Sequence, residues 1–202
     1  MKSLLLTLLL VTLTPLAHAA ELDKAAAAMN GSEAQFVHRF TPKGFKSAQV
    51  ESGTVTFGTL PMMRWSYAKP EQKLFIFDGT KSWFYVPADR QVTVSQLDDA
   101  KRRELPFLVL GDPAARDRSF VVRESASRGA IVTNLAPRAA GAAIRSVAVT
   151  TDAATHQIRR VDYTDRDGNQ TSFEFSGYHR SPATAELFRF APPAGVQVVN
   201  AD

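Results

Sequence analysis

The chain is 202 residues long, 45% hydrophobic and 22% charged, and its 24 Lys and Arg against 20 Asp and Glu give a formal charge of +4. That balance suits one folded globular domain and excludes disorder along the whole length, while so small and scattered an excess speaks against nucleic acid as a partner. There is no cysteine, which removes disulfides, thiol nucleophiles, zinc knuckles and iron–sulfur clusters.

Residues 1–20 read as a cleaved secretory signal peptide. Lys2 supplies the positive start, an apolar run extends from Leu4 to Leu16, and Ala17-His18-Ala19 is a small-x-small cleavage site, with the cut expected after Ala19 or Ala20. The apolar run falls short of the roughly 20 residues a membrane span needs and breaks at Pro15. No Cys stands at the cut to take a lipid anchor. The expected product is therefore residues 21–202, exported to a bacterial periplasm.

The mature chain opens on a stretch of strong helix formers, 21–30, in which Leu22, Ala25, Ala26 and Met29 share a face and Gly31 supplies the stop. Short runs rich in β-branched and aromatic residues follow at 34–41, 49–57, 62–68, 73–78, 83–86 and 91–95, separated by turn signals such as Pro42-Lys43-Gly44 and Asp78-Gly79. This pattern predicts an antiparallel meander. It breaks between 97 and 117, where the composition predicts two short helices, with Pro106 at a helix start and Gly111 and Pro113 as terminators. The strand pattern resumes at 119–124, 130–135, 144–151, 156–163, 171–177 and 187–190, with a possible edge strand at 196–199. About twelve strands result. Asp165-Arg166-Asp167-Gly168-Asn169 predicts a hairpin turn; it has half the look of a calcium loop but lacks the bidentate Glu, so no metal is expected there.

In a strand, residues two apart share a face. Met63, Trp65 and Tyr67 therefore line one side of their strand, and Phe75 with Phe77 repeats the pairing, while Leu74, Ile76, Trp83, Phe84 and Tyr85 leave neither face of the middle strands polar. A one-sided exposed sheet would not tolerate this, so each face must be covered. A closed or nearly closed barrel with helices across its mouth meets the requirement, and the aromatics serve either as packing or as the wall of an apolar cavity.

Catalytic patterns are sparse. His38, His156 and His179 form no zinc motif or nucleophile elbow, and the latter two sit near strand ends where a solvated ring is expected. Asp98 and Asp99 read as helix N-terminal charges rather than a carboxylate pair, and Lys101, Arg102 and Arg103 as a solvated helix face. Neither a catalytic residue nor a cofactor site is expected, which favours a binding protein over an enzyme.

An ordered set of motifs resembles the LolA family of periplasmic outer-membrane lipoprotein carriers. It runs through Phe36-Val37-His38, Gly53-Thr54-Val55-Thr56-Phe57, Pro61-Met62-Met63-Arg64-Trp65-Ser66-Tyr67 and Pro70 to Phe77-Asp78-Gly79-Thr80-Lys81-Ser82-Trp83-Phe84-Tyr85-Val86-Pro87, the most specific piece. Gln91-Val92-Thr93-Val94, Pro106-Phe107-Leu108-Val109-Leu110-Gly111 and the closing Phe188-Arg189-Phe190-Ala191-Pro192-Pro193-Ala194-Gly195-Val196-Gln197-Val198-Val199 continue it over nearly all of the mature chain.

The resemblance implies a mainly β (α+β) fold: an incomplete, strongly curved antiparallel β-barrel of about 11–12 strands, with an N-terminal helix and a helical lid near 97–117 over an apolar cavity. It further implies a monomeric carrier that takes acylated lipoproteins from an inner-membrane ABC lipoprotein-release transporter and passes them to an outer-membrane acceptor. On that reading Met63, Trp65, Phe75, Phe77 and Phe84 line the barrel side of the acyl-chain site, and Leu105, Phe107, Leu108 and Leu110 form the inner face of the lid. There are two departures from the family: Thr59 and Leu60 stand where an Arg that latches the lid is common, and His38 replaces the usual Gln. The alternatives are an RseB-like periplasmic sensor of lipids or lipoproteins and an enzyme acting on a hydrophobic small molecule through His38 and a nearby acid.

Overall fold

The computed structural model describes residues 20–98, 101–102, 107 and 110–201. The predicted signal peptide falls almost wholly outside them, as do Leu105 and Leu108. Helix α1, Ala20–Met29, forms where alanines dominate. Its buried stripe is Leu22, Ala25 and Met29, close to the expected face, and Glu21 and Asp23 occupy the first turn, where carboxylates suit the positive end of the helix dipole. Gly31, at φ +66°, ends it.

Twelve strands then build one sheet: β1 Ser32–Thr41, β2 Gln49–Phe57, β3 Met63–Lys69, β4 Lys73–Phe77, β5 Lys81–Val86, β6 Gln91–Gln96, β7 Phe120–Ser127, β8 Ala130–Pro137, β9 Ile144–Asp152, β10 Ile158–Asp165, β11 Gln170–Arg180 and β12 Gln197–Ala201. The order is β12-β6-β5-β4-β3-β2-β1-β11-β10-β9-β8-β7. Two meanders, β1 to β6 and β7 to β11, thus meet where β1 pairs with β11. The sheet is strongly curved and open, with β12 and β7 as its edges, so the barrel is incomplete.

Four local expectations are corrected. Residues 187–190 are not a strand: Ala185–Phe188 is a 3-10 helix, and the alternating Leu187-Phe188-Arg189-Phe190 mimicked a strand pattern. Pro113 does not terminate a helix but opens one, α2, Pro113–Ser119, because its missing N–H is no loss in a first turn; Asp112 caps it by accepting from the Ala115 N–H at 2.9 Å. His156 lies before β10, at φ +58°, rather than within it. The last strand, β12, runs parallel to β6, so the sheet is not antiparallel throughout.

The demand that both faces of the middle strands be covered is met in two different ways. On the convex side, Ile76 and Val92, both fully buried, pack with Val94 under the C-terminal segment, whose Phe188 is 1% exposed. Phe190 of that segment lies 5.7 Å from Trp83 and 5.3 Å from Tyr85. Arg64 pins it by donating from Nη1 to the Leu187 carbonyl at 3.1 Å. The concave side carries the main core, in which Leu22, Phe36, Val55, Phe57, Met63, Trp65, Val149 and Val161 are buried, each worth about 1.5–3 kcal/mol for the larger side chains.

The aromatic face and its polar end

Cross-strand register sets the concave wall. Met63 pairs with Phe77, Trp65 with Phe75, and Phe75 with Phe84, which places the five barrel-side residues expected from the sequence on one surface. Met63 is 1% and Trp65 4% exposed, whereas Phe75, Phe77 and Phe84 are half-buried, and Phe75 and Phe84 stack at 4.2 Å. Trp65 is the hub of the wall: its ring lies 5.1 Å from Phe36, 5.3 Å from Phe173 and 5.9 Å from Phe175. Phe36, at the join between the two meanders, and Phe173 and Phe175, on its far side, complete the wall. Phe173 and Phe175 carry the same period-two aromatic signal as Phe75 and Phe77, but nothing local shows that β11 neighbours β1.

Described residues between β6 and β7 lie over this wall. Lys101, Arg102, Phe107 and Leu110 are helical. The Phe107 ring sits 4.8 Å from Trp65 and 5.1 Å from Phe173, and Leu110 is 3% exposed within the main core. These two of the four expected lid residues are thus brought onto the barrel-side set, and the other two, Leu105 and Leu108, lie outside the described residues.

The segment is fastened at both ends. Asp98 accepts from the Lys101 N–H at 2.8 Å, as expected of a helix N-terminal carboxylate. Lys101 and Arg102 are not a solvated face: Lys101 Nζ donates to Ser95 Oγ at 2.8 Å, Arg102 Nε donates to the Leu97 carbonyl at 3.0 Å, and Arg102 Nη2 donates to the Gly79 carbonyl. The Gly79 turn is itself held by Asp78. Burial works against the Asp78 charge, but N–H donors from Lys81 and Thr80 and the Trp83 indole outweigh it and hold the carboxyl below its ordinary range. At the far end Leu60 packs against Gly111, and α2 is tied to α1 by Arg116, whose fully buried side chain donates to Asp23 Oδ1 at 2.8 Å. At Leu60 the fastening is therefore an apolar contact, while the Arg hydrogen bonds come from the lid side and reach rim carbonyls.

One end of the concave wall is polar. His38 pairs with Glu51 across β1 and β2, and Glu51 holds both His38 Nδ1, at 3.2 Å, and Lys73 Nζ, at 2.6 Å. The His38 ring stacks on Phe173 at 4.3 Å. Burial pushes the His38 pKa below its usual value and outweighs the opposing pull of Glu51. Burial also raises the Tyr67 and Tyr163 hydroxyls, with Glu51 adding to the effect on Tyr67. The acid near His38 is thus Glu51, already paired with a lysine.

The remaining histidines divide. His179 is solvated, 62% exposed at its side chain. His156 is not: its Nδ1 lies 3.1 Å from Oε1 of the buried Glu21, which also accepts from Thr151 Oγ1 at 2.7 Å. A partner 135 residues away leaves no local trace. The 165–169 segment is the expected turn, with Asp165 Oδ1 accepting from the Asp167 and Asn169 N–H groups, both at 2.9 Å. A groove of about 320 Å³ on the convex side, lined by residues including Arg39, Asn134, Arg160, Asp162 and Ser172, lies away from the aromatic wall.

The chain is similar to known proteins in sequence and in fold. A protein from Xanthomonas axonopodis pv. citri described as "Outer-membrane lipoprotein carrier protein" is 33% identical over 183 residues, covering 89% of this chain and 87% of the relative. One of the same description from Xanthomonas oryzae pv. oryzae is 32% identical over 192 residues, with the same coverage of both chains. The crystal structure of an uncharacterized conserved protein from Thermus thermophilus shares the fold, with a TM-score of 0.56 at 16% identity over 90% of this chain and 98% of its own. The family model described as outer membrane lipoprotein carrier protein LolA matches residues 27–191, and the chain belongs to that family.

Proposed function

We propose that the protein is an exported carrier that holds the acyl chains of lipoproteins against its concave aromatic face and moves them through the periplasm from the inner to the outer membrane. Residues 1–20 are the cleaved signal peptide and 21–202 the carrier domain. Its cargo donor is an inner-membrane ABC lipoprotein-release transporter and its recipient an outer-membrane acceptor. The observation that carries the reading is the contact of Phe107 with Trp65 and Phe173: a separately fastened segment occupies an apolar wall from which it can be displaced.

The physical demand is plain. Each methylene moved out of water is worth about 0.8 kcal/mol, so an acylated protein leaves one membrane for another only if its chains stay covered. Met63, Trp65, Phe75, Phe77 and Phe84 supply one side of that cover, and Phe107 and Leu110 the other. In the empty carrier Phe107 occupies the place of the chains. Cargo replaces one apolar contact with another, so loading and release are near balance and no covalent chemistry is needed. Opening breaks the Arg102 hydrogen bonds to Gly79 and Leu97 and the Leu60 contact with Gly111.

The test is dilution of a triacylated lipopeptide from detergent into the purified protein, followed by gel filtration. Co-elution of lipopeptide and protein at about one to one is expected. Lipopeptide that aggregates or stays in micelles while the folded protein elutes empty overturns the reading.

A further inference from the structure

We propose that His38, Glu51 and Lys73 form a head-group subsite at the polar end of the concave wall, one that accepts uncharged acyl esters and amides and turns away free fatty acids and anionic phospholipids. The proposal rests on the acyl-chain reading of the wall and adds to it an orientation and a selectivity.

The cluster lies on the same surface as the aromatic wall and one step beyond it along the strands. On β1 the inward positions run Ala34, Phe36, His38, and on β4 they run Phe77, Phe75, Lys73. Along β1 exposure rises in the same direction: Ala34 is fully buried and Phe36 is 1% exposed, while at the cluster the side chains of His38, Glu51 and Lys73 are 18%, 20% and 24% exposed. An amphiphile whose chains lie against Trp65 and Phe75 brings its head to these three residues.

The chemistry of the cluster decides which head fits. Glu51 neutralises the Lys73 ammonium at 2.6 Å, with the more exposed Glu71 carboxylate 3.9 Å away, and burial favours the uncharged form of the His38 ring, so the cluster offers hydrogen bonds without a net positive charge. Lys73 has N–H groups beyond the one facing Glu51, and these suit ester and amide carbonyls. With Nδ1 directed at the Glu51 carboxylate, the neutral ring carries its proton there, which leaves Nε2 to accept an amide N–H. A ligand carboxylate or phosphate, in contrast, meets the Glu51 carboxylate in a half-buried site, where repulsion is weakly screened. The head of a triacylated cysteine, with two esters and an amide, matches this set.

The experiment uses the full mature protein and three probes, each diluted separately from detergent and assayed by co-elution: N-palmitoyl-S-(dipalmitoylglyceryl)cysteine amide, palmitate and dipalmitoylphosphatidylglycerol. The wild-type protein should hold the cysteine lipid about tenfold or more in preference to either anion, and Glu51→Gln should reduce that preference by about tenfold while leaving the cysteine lipid within a few-fold. A purely structural Glu51 would lower all three probes together. Lys73→Gln, which leaves the Glu51 carboxylate without its cation, should widen the preference and carries the test if Glu51→Gln fails to fold. A preference unchanged within twofold in the folded variants overturns the subsite and leaves the carrier reading standing. A wild-type protein that holds none of the three probes overturns both.

Discussion

Gly53→Ala is expected to destabilise the protein by about 3 kcal/mol, at the upper end of what overpacking costs, and to lower its melting temperature by roughly 6–12 °C. Gly53 lies at a register shift in β2, where a Cβ would stand 1.9 Å from the Ser66 carbonyl oxygen and 2.9 Å from the Tyr67 Cα. Both neighbours are backbone, so no rotamer change relieves the clash; β3 must move. The bare backbone at Gly53 is covered from the concave side by Phe36 and Tyr67, whose rings meet edge to face at 4.8 Å. A shift of β3 therefore disturbs the Trp65 hub as well as the β2–β3 ladder. Thermal unfolding followed by far-UV circular dichroism checks this. A melting temperature within about 2 °C of the wild type would show that the close approach is not obligatory.

Phe107→Glu should leave the sheet folded and reduce lipopeptide binding by at least about tenfold, because Phe107 covers the loaded chains from the lid side and a carboxylate there must lose its water against acyl chain. Phe107 is half-buried and lies outside the β ladders, so the damage falls on the apolar surface rather than on the fold. Phe107→Ala separates charge from shape. It removes the ring that occupies the wall but adds no charge, so binding should be retained. Equal binding by the Glu and Ala variants, measured by co-elution with both proteins folded, would place the acyl chains elsewhere.

The strand pattern was legible because alternation is a local property. Residues 49–57 read as a strand with the same bounds as β2, and the two-faced aromatics of β4 and β5 demand a cover on each side. What sequence could not supply was the identity of those covers. The convex cover is the segment around Phe188 and Phe190, which follows β11 and lies across strands more than 90 residues earlier. Its Leu187-Phe188-Arg189-Phe190 stretch looks like a strand to any local rule, and only the packing of Phe188 and the Arg64 bond to Leu187 select a 3-10 turn.

The candidate site shows the same division. Period-two spacing alone puts Met63 with Trp65 and Phe75 with Phe77; their union with Phe84 in one wall is what the family resemblance implies, and the β3–β4 and β4–β5 registers set these residues side by side. Phe36, Phe173 and Phe175 belong to the wall only because β1 pairs with β11 across the join of the two meanders. His38, Glu51 and Lys73 come from three different strands, and their charges give no sequence pattern. Lys101 and Arg102 read as surface charge because nothing in the run 101–103 reveals the rim groups they reach.

Carriage of acyl chains on the concave aromatic face in the cell is what the proposed function requires. It is tested most directly by purifying the protein from the periplasm without detergent and analysing what accompanies it by mass spectrometry. Lipoproteins whose N-terminal cysteine is acylated should be recovered, and should be lost from Phe107→Glu protein prepared in the same way. Wild-type protein that emerges folded but free of acylated protein, or with the same acylated cargo as Phe107→Glu, would contradict it.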